Sequence, residues 1–262
     1  MKIATSGETF PAFFSRNQGL LTGKDQQLLA NTCIAIAGAG GDGGLLAERL
    51  IRLGIGKILL ADPEVFEPAN INRQFASNAN SMGQNKAIAV ARELRLINPA
   101  AEIQVYTHGI TRENIAAFVG QADIVVDEIE YSLPTLSVLL HQEARSQNKH
   151  VFMGANIGWG ASMFCFSPDA LSFEEHFEYC EEKGTINALK YLKEIPSYFS
   201  QETREAILSG EMHMPTIAPA VSLVAAMMST AIVLFITKKQ LPVLAPEFIC
   251  FDLFEDSLRK AS

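Results

Sequence analysis

Cys33 to Asp62 reads CIAIAGAGGDGGLLAERLIRLGIGKILLAD, and its pattern decides the fold. The apolar run Ile34 to Ala37 predicts a buried strand, and the glycines after it predict a turn. Leu45 to Leu53 predicts a helix, and a second apolar run ending on Asp62 predicts a second strand. Gly38, Gly40 and Gly43 fit the spacing G-x-G-x-x-G, with Asp62 about twenty residues further on. Turn glycines let backbone come close to a phosphate, whose charge suits the amides at a helix N-terminus. An acid ending the second strand is placed to accept hydrogen bonds from a ribose. The stretch predicts a nucleotide site, and by itself it does not say which nucleotide.

Upstream, residues 1–30 read as an N-terminal helical arm, with Leu20, Leu21, Leu28 and Leu29 as its apolar face. Downstream, the polar loop PEVFEPANINRQF leads to a helix that opens near Gly83 and is stopped after Asn98 by Pro99. Lys86 falls in its first turn, where the helix dipole favours anions, so a lysine there is suggestive of a phosphate nearby. A strand (Glu102 to Tyr106), a short helix (Glu113 to Phe118) and a strand (Ala122 to Val126) follow. The last ends in Asp127-Glu128-Ile129-Glu130, and carboxylates just past a parallel strand fall in the ligand crevice of doubly wound sheets. A helix from Leu133 to Asn148, a strand from His150 to Gly154, a glycine-rich bend from Gly154 to Gly160 and a strand from Ala161 to Phe166 complete the pattern. The alternation predicts an α/β, Rossmann-like doubly wound fold with a mostly parallel sheet over residues 31–166. Residues 167–215 read as an acidic crossover segment, partly helical and partly mobile. Residues 216–262 read as a buried helix (Val221 to Ile236) and a closing strand (Phe248 to Leu253) of the same domain.

Across the 262 residues, 48% hydrophobic and 19% charged content describes a globular chain with a sizeable core. A net charge of −8 lacks the basic face that nucleic-acid binding needs. Four scattered cysteines, Cys33, Cys165, Cys180 and Cys250, form no C-x-x-C pair, so neither a zinc ribbon nor a disulfide scaffold is expected. The start, MKIATSGETFPAFF, has no signal-peptide core. Thr216 to Thr237 is uncharged and long enough to span a membrane, but Pro219 and its hydroxyl residues favour a fully buried helix. A cytoplasmic protein without membrane or nucleic-acid partners is the expectation.

Several separated motifs then stand in one order: Arg16 in SRNQ, Gly38-Ala39-Gly40-Gly41-Asp42-Gly43, RLGIGKILLAD ending at Asp62, Asn70-Ile71-Asn72-Arg73-Gln74, Gly83-Gln84-Asn85-Lys86, Ile97-Asn98-Pro99, and the turn from Asp127 to Glu130. Over about Phe13 to Phe166 the chain resembles the ThiF/MoeB/HesA family, adenylyltransferases related to ubiquitin-activating enzymes. The resemblance implies ATP with Mg²⁺ and a substrate carboxylate attacking the α-phosphate, the carboxylate being the C-terminus of a ubiquitin-like or sulfur-carrier protein, a peptide or another small acid. It implies a ribose contact at Asp62, phosphate contacts at Asn70, Arg73 and Lys86 with Gln74 beside them, and metal contacts at Asp127 and Glu130. It also implies a homodimer in which Arg16 reaches the neighbouring subunit's site.

The chain departs from that pattern at three points. Asp42 stands where the family has an apolar residue, Glu130 replaces an aspartate, and the paired C-x-x-C zinc motifs are missing, so no zinc is expected. Cys180 lies among Glu178, Glu181 and Glu182, which suppress a thiolate, so adenylation without a thioester is expected. Two alternatives stay open: an NAD-dependent oxidoreductase, which the glycine fingerprint alone most often means, and a non-catalytic member serving as a complex subunit.

Overall fold

The computed structural model describes residues 11–209 and 211–255. A seven-stranded sheet forms its centre: β1 (Cys33–Ala37), β2 (Lys57–Ala61), β3 (Glu102–Tyr106), β4 (Ile124–Asp127), β5 (Val151–Ile157), β6 (Gly160–Phe166) and β7 (Ile249–Asp252). Their order is β3-β2-β1-β4-β5-β6-β7; the first five are parallel, β6 runs antiparallel to β5, and β7, antiparallel to β6, returns to the direction of the first five. The expected doubly wound, mostly parallel sheet is what forms. β1 and β4 are buried throughout, as continuous apolar runs covered on both faces must be.

Helices α1 (Gly23–Ala30), α2 (Gly41–Leu53), α3 (Lys86–Ile97), α4 (Ile115–Gly120), α5 (Pro134–Ser146), α6 (Phe173–His176), α7 (Gln201–Ser209) and α8 (Ala218–Ile236) complete the described chain. The α3 start reflects local chemistry: Asn85 is its N-cap, its side chain accepting from the Ile88 amide at 3.1 Å. That makes Lys86 the first helical residue. One core cluster packs α2, α3 and α8 against one face of the sheet, with Leu46, Leu50, Val90, Val224 and Met228 buried. The other holds Phe118, Leu140, Phe164, Phe173 and Phe177.

Three expectations need correction. The arm, whose residues 1–10 lie outside the described residues, is helical in two pieces, a 3₁₀ turn (Ala12–Asn17) and α1, parted at Gly19 with its φ of +101°; what changes is its apolar side. Its apolar face splits, Leu21 and Leu29 turning inward while Leu20 is 81% exposed. The glycine-rich bend is mostly strand: β5 continues to Ile157 and pairs across the hairpin with Gly160, so the chain reverses only at Gly158-Trp159. Gly154 serves close approach instead, since a Cβ there would lie 2.4 Å from Val224 and 2.9 Å from Glu128 Oε1.

The third concerns α8. Among the described residues it is the helix long and apolar enough to cross a membrane, with a mean hydropathy of 2.2. It packs against α2, β5 and β6 on one side, yet Ser222, Ala226 and Thr230 are exposed and Leu223 and Met227 half-buried. It is a half-buried helix, not a fully buried one.

Candidate functional site

Ala37 of β1 pairs with Ala61 of β2 on one side and Asp127 of β4 on the other. Gly38, Asp62 and Glu128 are therefore the first residues past three adjacent strand ends. This is the switch point of the sheet, where successive connections leave in opposite directions and open a crevice. Gly38 donates its amide to Ala61 O (2.8 Å), and Glu128 donates its own to Ala37 O (2.8 Å).

The turn itself is over-determined. Gly38 has φ +108°, and a Cβ there would sit 2.1 Å from the Glu128 carbonyl oxygen. A Cβ on Gly43 would sit 2.0 Å from Gly38 O. Asp62 is buried and ties the turn down, with Oδ2 accepting from the Ala39 amide (2.7 Å) and Oδ1 from Glu64 (2.8 Å). Burial pushes its carboxyl up, against the pull of those two donors and of Lys86. Gly40 is the N-cap of α2, so the amides of its first turn face the crevice without intrahelical partners.

The loop after β2 supplies the cation side. Asn70 closes a short 3₁₀ turn (Pro68–Asn70), its Oδ1 accepting from Glu67 N at 2.9 Å. Its carbonyl accepts from the amides of Arg73 (3.1 Å) and Gln74 (2.9 Å), which fixes both on the glycine turn. Arg73 Cγ lies 3.8 Å from where a Cβ of Gly41 would be, and its guanidinium donates to Asn72 Oδ1 (2.9 Å) and Ala69 O (3.1 Å). Gln74 is 9% exposed and leans on Gly40, and its Oε1 is buried without a hydrogen-bond donor. Lys86 is buried and ion-paired with Glu64, Nζ to Oε2 2.5 Å. Glu64 was not singled out in the sequence; its only signal is its place two residues after Asp62.

The acidic turn divides. Asp127 is fully buried, with Oδ2 3.1 Å from His141 Nε2 and Oδ1 accepting from Ile129 N. To serve as the expected metal and nucleotide contact, Asp127 would need the side chains that cover it to move. Glu130 is exposed at the crevice mouth. Partial burial, then the Glu64 charge, pushes its carboxyl up, while His213, Lys86 and Arg73 pull it down. His213 is a second residue that sequence reasoning missed. Among the described residues no group of three or more His, Cys, Asp and Glu side chains is arranged to hold a metal ion.

Arg16 is placed elsewhere. The 3₁₀ turn that carries it docks at the C-terminal end of α2, where Phe14 lies against Gly54 and Asn17 donates to Gln26, which donates to Leu53 O. The length of α2, about 20 Å for its thirteen residues, separates that end from the glycine turn. Cys180 is half-buried and its backbone pairs with Thr185. Cys33 and Cys165 are buried, with thiols pushed up to about 11 and about 12.

Asp42 is held away from solvent, Oδ2 accepting from Asn156 Nδ2 at 2.5 Å. Burial pushes its carboxyl up to about 7, against the Asn156 hydrogen bond and the Arg73 charge. The folded chain thus keeps a proton that the unfolded chain releases near an ordinary carboxyl value of about 4. Stability from this group is full at low pH and is lost as pH rises from about 4 through about 7. The slope is at most about 1.4 kcal/mol per pH unit. Melting curves from about pH 5 to about pH 8 should show the wild type losing more stability than Asp42→Asn. Equal losses would contradict the buried proton.

A glycine turn at a sheet switch point, pinned by a buried acid and flanked by an arginine and a lysine, defines a Rossmann-like nucleotide-binding protein. The ThiF family model matches residues 14–262, and the chain belongs to that family. The adenylyltransferase and sulfurtransferase UBA4 of Candida albicans is 24% identical over 201 residues, covering 68% of this chain and 45% of that protein. The tRNA threonylcarbamoyladenosine dehydratase of Bacillus subtilis is 33% identical over 115 residues, covering 44% of this chain and 45% of that one. The chain thus spans under half the length of these curated relatives. Among solved structures, E. coli MccB with MccA superposes with a TM-score of 0.70 at 22% identity, over 95% of this chain and 71% of that one. E. coli MccB with ATP gives 0.67 at 20% identity, over 94% and 72%. These likenesses establish the fold.

Proposed function

We propose that the chain is an ATP-dependent adenylyltransferase that activates a carboxylate. The observation that carries this reading is the pair of cations, Arg73 and Lys86, set beside a glycine turn that Asp62 ties down. A dinucleotide's pyrophosphate needs only the turn and the helix N-terminus. Added cations suit a triphosphate whose charge shifts during reaction. In the step, a substrate carboxylate oxygen forms a bond to the α-phosphorus. The bond from that phosphorus to its bridging oxygen breaks, and pyrophosphate leaves with the electron pair. The carboxylate is already ionised at neutral pH, so no general base is required. Arg73 steadies the charge building on the phosphate oxygens, and Lys86 does the same once it shares its ammonium between Glu64 and the nucleotide. Asp62 keeps an acceptor face for the ribose beside the turn it anchors.

Magnesium would bring charge neutralisation on the triphosphate, and such an ion takes only one or two protein carboxylates. Glu130, exposed at the crevice mouth and opposed by Glu64, suits that role better than the buried Asp127. The substrate classes the reading favours are the C-terminus of a ubiquitin-like or sulfur-carrier protein, or a peptide. The support is that relatives of the chain include ubiquitin-like modifier-activating enzyme 5 of Drosophila ananassae, 33% identical over 140 residues, and that MccB was solved with MccA. ATP–pyrophosphate exchange in the presence of a candidate carboxylate tests the reading. Absence of exchange with every candidate would favour the non-catalytic alternative.

The same reading includes a homodimer. The exposed stripe Ser222, Ala226 and Thr230, flanked by Leu223 and Met227, recurs every four residues along α8 and suits close packing against a second copy. Arg16, a helix length from its own glycine turn, would then serve the site of the partner. Arg16→Ala and Arg73→Ala proteins should each be inactive. Mixed in equal amounts and allowed to exchange subunits, they should recover about a quarter of wild-type activity, because half of the dimers carry one intact site. No recovery would remove the trans role.

A further inference from the structure

A second polar cluster lies against the glycine turn, and the adenylation reading gives it no role. It joins Asp42 in the first turn of α2, Asn156 near the end of β5, and Glu128 just past β4. Asn156 Nδ2 donates to Asp42 Oδ2 at 2.5 Å, and the Gly154 amide donates to Glu128 Oε1 at 3.1 Å. These donors do not match the acceptors. Asp42 Oδ1 and Asn156 Oδ1 are both buried without a donor, although Asp42 is only 7% exposed. On the other flank of the same turn, the buried amide oxygen of Gln74 also lacks one.

The cluster is built into the fold. Glu128 Cβ lies 3.2 Å from the position of a Gly43 Cβ, and its carboxylate fills the space a side chain at Gly154 would need. Buried acceptors left without donors cost stability, and two carboxyls in one pocket repel each other. Arg73 is the cation that faces Asp42. A cation entering here would let Asp42 release the proton that burial otherwise makes it keep, and would supply the donors that the two buried oxygens lack.

We propose that Asp42, Asn156 and Glu128 recognise a protonated amine carried by the substrate close to its reacting carboxylate. An ammonium has three N–H donors and one positive charge. It would supply Asp42 Oδ1, Asn156 Oδ1 and the Glu128 carboxylate together. A protein tail ending in glycine offers one backbone N–H at that point and no charge. The inference rests on the adenylation reading and narrows its substrate to amino acids, or peptides whose last residue carries an amine.

The test is ATP–pyrophosphate exchange with three sets of acids: free amino acids and peptides ending in lysine, the same compounds N-acetylated, and peptides ending in Gly-Gly. The wild type should use the amine-bearing acids about tenfold to hundredfold better than their acetylated forms, the range for a hydrogen bond to a charged group. Asp42→Asn, which retains the volume and a partner for Asn156, and Asp42→Leu should both erase that preference, with melting curves confirming that each folds. Exchange that favours the Gly-Gly tails, or a preference that survives both substitutions, overturns the inference. Calorimetry with ATP separates the two levels. A protein that binds ATP but exchanges with no amine-bearing acid defeats this inference alone, whereas one that binds no ATP defeats the adenylation reading with it.

Discussion

Replacing Gly43 with alanine is expected to abolish nucleotide binding and to lower stability by about 3 kcal/mol, the upper end of the range for overpacking. The reason is geometric. The added methyl would lie 2.0 Å from Gly38 O and 3.2 Å from Glu128 Cβ, both parts of the turn itself. Neither neighbour is the free end of a flexible side chain. Gly38 is held by its own bond to Ala61 O, and Ala39 is held by Asp62, so the turn must break a strand-end hydrogen bond to make room. Gly40→Ala provides the control, because its nearest neighbour is the Gln74 amide at 3.7 Å. That variant should fold like the wild type. A Gly43→Ala protein with unchanged melting and unchanged ATP affinity would show that the turn is not the phosphate cradle described here.

Arg73→Ala is expected to lower exchange about 100-fold to 1000-fold with little change in melting temperature, the usual effect of removing one preorganised group that stabilises transition-state charge. Arg73 is half-buried, and its two side-chain hydrogen bonds go to the neighbouring Asn72 and Ala69, so it holds no distant element in place. Arg73→Lys should recover only part of the loss, since a single ammonium cannot reproduce a forked donor. Equal losses of stability and activity in Arg73→Ala would point to a scaffold role instead.

Much of this was legible from local pattern. The first strand, the glycine turn, the helix after it and Asp62 are set by short-range chemistry: apolar runs, a turn that admits only glycine, an acid at a strand end. Lys86 was legible as well, because Asn85 caps the helix that it begins. What stayed hidden depends on residues distant in the chain. Gly154 looked like part of a bend, because nothing in GANIGWG shows that Glu128, Val224 and Met228 crowd that position. The burial of Asp127 was hidden too, because the pattern cannot show that His141, fourteen residues on, packs against its carboxylate. The partner of Lys86, Glu64, is in the loop after β2, and its place beside Asp62 was its only signal. Helix α8 is apolar all round, so hydropathy could not say that one side faces outward. Asp42 appeared as a residue at odds with a phosphate site, and only its contact with Asn156, 114 residues away, shows where it points.

The cations beside the glycine turn suit a nucleoside triphosphate and not a dinucleotide. Isothermal titration of the wild-type protein and of Arg73→Ala with ATP and with NAD, in the presence of magnesium, distinguishes the two. ATP is expected to bind the wild type, NAD to give no saturable heat, and Arg73→Ala to lose most of the ATP affinity. NAD binding equal to or tighter than ATP, indifferent to Arg73, would contradict that expectation.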